Sequence, residues 1–377
     1  VVVAGISLKG DRSGRWELAD TMSELVQLVH SAGGEVVEEV TQSVDRPTSV
    51  YMGHGKIGEL KEIGEKVGYT AVVFNDELTP AQQRNLEREL EVKVLDRSAL
   101  ILDIFADRAR TKEGVLQVDL AQSVYLLPRL SGQWSHLERL GGGIGTRGPG
   151  ESQLETDRRL ARGRISKLKR ELADVIAHRS RHRSRRETSR VPVVSLVGYT
   201  NAGKSTLFNS LVKAGVEAES KPFTTLDPIT RQMYMPDGTR ALLTDTVGFI
   251  HKLPHALVAA FRATLEELSE ADLLLHVVDI SHRNASDHIQ VVEDTLKQLK
   301  MLDKPRLLVL NKMDLAMSDE NSSAPDLSAL GESAEGGVMI SAEKGWGVEL
   351  LQTAILERLH EITGSETTSE QGVHFVG

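Results

Sequence analysis

Cysteine is missing from all 377 residues, which excludes disulfides, thiolate catalysis and zinc held by thiolates, and fits a reducing compartment. No apolar run approaches the roughly 20 residues that a helical membrane span needs. The opening VVVAGISLKG leads into an amphipathic pattern instead of a cleavable signal. A cytoplasmic protein with no membrane span is expected. The first residue is Val1, not Met, so the true N-terminus is expected upstream. With 40% hydrophobic and 26% charged residues, the composition excludes disorder as the dominant state and suits two or three domains with sizeable cores.

Positive charge is in short supply overall, the net charge being -9, yet it is concentrated in one place. From 151 to 190 there are 13 Lys/Arg against 6 Asp/Glu, a local +7 that leaves -16 for the rest of the chain. A uniformly acidic protein repels nucleic acid, whereas an acidic body with one basic arm can present that arm to phosphate.

Residues 1–111 read as a small parallel α/β domain. Short β-branched runs (VVVAGISL, GEVVEEV, TAVVFND, VKVLD) alternate with amphipathic stretches such as LADTMSELVQLVHSAGG and PAQQRNLERELE. Residues 112–190 read as a helical arm: a helical pattern, the glycine-rich tip GGGIGTRGPGE, then a long polar helix from about Leu154 to Ser189. Residues 191–362 read as a second α/β domain, mostly parallel with helices on both faces, and 363–377 as a polar tail that is too short for a further domain.

The second domain carries chemistry. Gly198-Tyr-Thr-Asn-Ala-Gly203-Lys204-Ser205 matches G-x-x-x-x-G-K-[ST] between an expected strand and helix, the setting this motif needs. Backbone N–H groups from Asn201 through Thr206, Ala202 among them, can there cradle phosphates, with Lys204 on the β and γ oxygens and Ser205 on Mg²⁺. Asp245-Thr-Val-Gly248 adds a carboxylate for a Mg²⁺-bound water and an N–H for the γ-phosphate. Asn311-Lys312-Met-Asp314 ends another expected strand, where a carboxylate accepts from both N1–H and N2–H₂ of guanine, a donor pair that adenine lacks. Ser341-Ala342 ends the next, with an N–H for guanine O6. Each string is weak alone, but four in order at strand ends specify a GTP site that also binds GDP.

The residue order GYTNAGKST, PFTTLDP, DTVGF, NKMD, SAEKG resembles the HflX GTPases, of the Obg and HflX branch of translation-associated GTPases. The likeness continues through YMGHGKIGEL, FNDELTPAQQRNLE, LILDIFADRARTKEGVLQVDLAQ and GGIGTRGPGESQLETDRR, nearly the whole chain. Glu343 departs from the Lys that often follows Ser-Ala. The resemblance implies a cytoplasmic GTPase that binds the large ribosomal subunit and its rRNA, not DNA, and splits stalled or idle ribosomes, with hydrolysis stimulated by the ribosome. It makes PFTTLDP switch I, with Thr225 favoured over Thr224 as Mg²⁺ ligand and γ-phosphate sensor. Phe249 stands where many GTPases carry a water-orienting Gln, and is expected to pack the loop. Related GTPases with Asn at the position of Asn201 hold K⁺ there, a charge that acts like an arginine finger.

In the arm, the first half suits a solvated helix with i,i+4 ion pairs, while HRSRHRSRRETSR carries nearly unopposed positive charge. Arg147 at the tip and Arg181, Arg183, Arg185 and Arg186 are the expected RNA contacts. Two other readings stay open. One is a passive placeholder on the assembling large subunit. The other is an RNA-remodelling NTPase with a second ATP site at GHGKIGEL, Gly53 to Leu60, a string that otherwise reads as a helix-start turn.

Overall fold

The computed structural model describes residues 1–9, 16–132, 149–183, 191–212, 222–223, 225–254, 257, 268–317 and 336–370. Contacts divide the chain into two units, 1–181 with 252–261, and 182–251 with 262–377.

In the first unit, strands β1 (Val2–Leu8), β2 (Glu38–Val44), β3 (Ala71–Phe74) and β4 (Lys93–Asp96) form a parallel sheet in the order β2-β1-β3-β4. Helices α1 (Leu18–Ser31), α2 (His54–Val67), α3 (Pro80–Leu90) and α4 (Arg97–Arg108) follow the strands in alternation. Local rules place them. Thr79 and Gln82 close a reciprocal capping box in front of Pro80, which starts α3 with its φ already helical. Asp96 ends β4 and caps α4 through Ala99 N at 2.8 Å, then accepts from Leu78 N, Tyr125 Oη and Arg129. One buried carboxylate thus fixes α5 (Lys112–Leu126) and the 3₁₀ turn Leu127–Gly132 to the sheet. Arg97, the next residue, is fully buried, and its cost is offset by Glu24 and by Asn75 Oδ1. Helix α6 (Pro149–Arg183) has 35 residues, about 52 Å at 1.5 Å per residue.

GHGKIGEL opens α2. The Gly53 N–H donates to Gln42 Oε1 at 2.7 Å, and Lys56 pairs with Glu59 at 2.6 Å. One loop N–H and the lysine of this string are thus engaged by other side chains.

The second unit is a six-stranded sheet in the order β10-β9-β8-β5-β7-β6. Its strands are β5 (Val193–Gly198), β6 (Ile229–Tyr234), β7 (Arg240–Asp245), β8 (Leu273–Asp279), β9 (Arg306–Asn311) and β10 (Val338–Met339). Only the edge strand β6 runs antiparallel, as a hairpin with β7. Sequence periodicity passes over β6 because ITRQMY is largely polar and exposed, with Met233 its one buried residue. Helices α7 (Lys204–Val212), α8 (Ala285–Gln298), α9 (Met313–Ala316) and α10 (Val348–Glu370) complete the described elements. The last runs eight residues into the segment read as a polar tail. Leu196, Leu207, Phe208, Leu243, Leu275, Val309, Leu351 and Ile355 are buried together as the core between the sheet, α7 and α10. Among the described residues no helix is long and apolar enough to cross a membrane.

Candidate functional site

Strand β5 has β8 on one side and β7 on the other, so the chain order reverses there, and a crevice opens beyond the carboxyl ends of the strands. The loop from Gly198 to Gly203 fills that position and feeds α7 at Lys204. Gly203 has φ +91°, and a Cβ on it would stand 2.3 Å from Asn311 Nδ2. Conformation and space both demand glycine. Asn201 also has positive φ, +60°, and is exposed. Lys204 Nζ donates to the carbonyls of Gly198 (3.2 Å) and Tyr199 (2.8 Å). Burial lowers its pKa to about 8, with the Asp245 charge acting the other way. Thr206 lies in the first turn of α7.

Three oxygens from distant parts of the unit meet beside Lys204. Ser205 Oγ lies 2.9 Å from Thr225 Oγ1 and 2.7 Å from Asp245 Oδ2, and Thr225 Oγ1 lies 2.8 Å from that same oxygen. Adjacent ligands of an octahedral Mg²⁺ stand about 2.9 Å apart, given metal–oxygen distances of about 2.0–2.1 Å. The two hydroxyls therefore fit as neighbouring ligands of this ion, with Asp245 Oδ2 accepting from both. Asp245 Oδ1 is buried with no hydrogen-bond partner among the described residues, which leaves an acceptor for metal-bound water. Burial raises the Asp245 carboxyl above its usual range, against the Ser205 hydroxyl, the Lys204 charge and the Thr225 hydroxyl, which lower it. Thr224 lies outside the described residues.

On the other side of the loop, Asn311 acts as a brace. Its Nδ2 donates to Ala202 O at 2.8 Å and its Oδ1 accepts from Ala342 N at 3.0 Å. The Ala342 N–H, assigned from sequence to guanine O6, thus donates here to Asn311. Ser341 is fully buried, with Oγ accepting from Lys344 N at 3.1 Å. Lys312 sits at φ +66° and its Nζ pairs with Asp279 Oδ2 at 2.7 Å. The other carboxylate oxygen of Asp279 is held by the N–H and hydroxyl of Ser281. Sequence reasoning missed Asp279, although an acid that ends the β8 run beside Asn311 was a visible signal. Asp314, half-buried in the first turn of α9, makes no hydrogen bond to another described residue.

Gly248 follows Asp245 closely against Lys204: a Cβ on it would lie 3.0 Å from Lys204 Nζ. Phe249 is 1% exposed. Its ring is packed inside the unit and its main chain pairs with the phosphate loop. Of the arm residues, Arg181 and Arg183 fall on the last turn of α6, while Arg147, Arg185 and Arg186 lie outside the described residues.

Three family models match in succession: GTP-binding GTPase N-terminal over 19–106, GTP-binding GTPase Middle Region over 108–186, and 50S ribosome-binding GTPase over 193–312. The chain is 52% identical over 299 residues to GTPase HflX of Alkalihalophilus pseudofirmus, covering 79% of this chain and 71% of that one. It is 47% identical over 341 residues to GTPase HflX of Escherichia coli, covering 90% and 79%. Among solved structures, the GDP complex of SsGBP is 26% identical with a TM-score of 0.51, covering 96% of this chain and 99% of that one.

Proposed function

The chain belongs to the HflX family of GTPases and hydrolyses GTP, and from that premise we propose that it is a cytoplasmic GTPase which binds the large ribosomal subunit and dissociates stalled or idle ribosomes. The observation that carries the ribosomal part is that one chain holds both the GTPase (G) domain of the second unit and the basic helix α6. That helix exposes Arg159, Arg162, Arg164, Lys167, Lys169 and Arg170 along its length. Cations spaced along a rod of this length suit the phosphate backbone of rRNA, which is read through charge more than base identity. The family model over the G domain is itself described as ribosome-binding.

In the proposed mechanism the phosphate loop holds the nucleotide by its N–H groups, and Lys204 draws charge from the β and γ oxygens. Ser205, Thr225 and a water on Asp245 would hold Mg²⁺, which would supply positive charge against the phosphates. Asp314 selects guanine, with Asn311 keeping the phosphate loop and the Ser341-Ala342 loop in register. The Phe249 ring has no group that can orient water. Full activity therefore depends on ordering of switch I and of switch II, the loop from Asp245 through Phe249, by the ribosome, and on a monovalent cation beside Asn201. An inserted arginine finger, the charge that such an ion would imitate, is worth roughly 10³ to 10⁵ in rate. Hydrolysis by the isolated protein should be slow, rise strongly with large subunits, and fall when Na⁺ replaces K⁺; loss of the K⁺ effect in Asn201→Ala would identify the ion site.

Sedimentation of intact ribosomes with the protein and GTP tests the reading. Splitting predicts conversion of intact particles to subunits. Binding to large subunits with intact ribosomes unchanged would favour an assembly placeholder instead.

A further inference from the structure

We propose that Tyr199 is a positioning residue for GTP hydrolysis, which registers switch II on the phosphate loop through its phenol oxygen. After β7 the chain passes Gly248 and then runs beside the loop. Phe249 N donates to Gly198 O at 3.1 Å, and Thr200 N donates to Phe249 O at 2.7 Å. Any residues could make these two main-chain bonds. The third cannot be made by most: His251 N donates to Tyr199 Oη at 2.9 Å, which requires a hydroxyl at the far end of a ring.

That ring is held in place. It is 4% exposed and stacks on His288 of α8, with centroids 3.9 Å apart and planes at 7°. His282 lies against the same imidazole at 4.5 Å. The phenol oxygen is therefore a fixed point carried by α8 and by the loop. Gly248 is suspended between two anchors, Asp245 at the end of β7 and the Phe249–His251 clasp. Its space is narrow, since a Cβ would meet Thr200 Cα and Lys204 Nζ at 3.0 Å each. Release of the His251 end lets Gly248 drift from Lys204, and the N–H assigned to the γ-phosphate drifts with it. GDP has no γ-phosphate. The clasp thus acts on hydrolysis and leaves diphosphate binding alone.

The inference rests on Gly248 as the γ-phosphate contact, and the test separates the two. In the full chain, Tyr199→Phe keeps the ring and its stacking and removes one acceptor. The expected result is a kcat for GTP lower by roughly 3- to 10-fold, the net worth of one hydrogen bond, with GDP affinity within about twofold of the parent. Parent-like kcat overturns the proposal. So do parallel losses of kcat and GDP affinity, which indicate a structural role only. A third readout needs no variant: the His251 amide of the parent chain should resist hydrogen exchange, and exchange at the rate of an open loop refutes the clasp. If Gly248→Ala hydrolyses GTP as the parent does, the γ-phosphate reading fails, independently of what Tyr199→Phe does.

Discussion

Asn311→Ala removes the side chain that joins the phosphate loop to the Ser341-Ala342 loop. Two buried main-chain groups lose their partners, the carbonyl of Ala202 and the N–H of Ala342. A buried group left unpaired costs about 1–3 kcal/mol, so the pair costs about 2–6 kcal/mol, a sizeable part of the roughly 5–15 kcal/mol that holds a domain folded. Because Ala202 belongs to the phosphate loop, some of this loss should reach the ligand: a GDP Kd raised at least roughly tenfold corresponds to about 1.4 kcal/mol. The same side chain also makes Gly203 intolerant of a methyl group, through the 2.3 Å approach of Nδ2. Gly203→Ala should therefore be severe in the parent and milder in the Asn311→Ala background, where only the cost of the +91° backbone remains. Urea unfolding and fluorescence titration with GDP, on both single variants and the double, measure the coupling. Strict additivity of the two substitutions, or an unchanged GDP affinity in Asn311→Ala, would refute the brace.

Asp314→Asn should move preference from guanine toward xanthine, since Asn offers an N–H to the 2-oxo group; competition of GTP with xanthosine triphosphate reads this, and unchanged GTP affinity removes Asp314 from the site. His276 is buried on β8, and burial, with Arg306 and Lys204 adding to it, lowers its pKa to about 3. Between about pH 6.5 and 3 only the unfolded chain takes that proton, so stability falls on acidification by about 1.4 kcal/mol per unit, roughly 2 kcal/mol by pH 5. His276→Leu should flatten that limb in urea melts at pH 7.5 and 5; equal slopes in both proteins count against it. Neutralising Arg181, Arg183, Arg185 and Arg186 together should reduce the salt dependence of large-subunit binding, and identical log–log slopes would return these residues to a solvated arm.

Much of the site was legible because its chemistry imposes local demands. Gly203 must be glycine, Lys204 and Ser205 must begin a helix, and Asp245 and Asn311 must end strands, so each leaves a mark at fixed spacing. The parallel sheets were legible too, in β-branched runs such as VVSLV and LLLHVVD. Strand β2 lies four residues later than the run GEVVEEV begins, because its pairing with β1 continues through the polar EEVTQSV, where only Val40 and Val44 are buried. Asp279 and Tyr199 stayed hidden for a different reason. Their partners, Lys312 and His251, lie 33 and 52 residues away, and nothing local distinguishes an acid or a ring that serves a distant backbone group.

The Asn311 brace also sets a schedule. Its two bonds reach back 109 residues to Ala202 and forward 31 to Ala342. During synthesis at about 5–20 residues per second, roughly 7–30 s separate the appearance of the phosphate loop from that of the loop that completes the brace. A nascent chain in that interval already displays the phosphate-loop sequence without the means to hold the loop against the guanine side. Tight nucleotide capture should therefore be a late event, reached only after β10 has docked on β9, and a truncated chain that ends at Asn311 should emerge as a poor nucleotide binder despite carrying most of the recognisable motifs.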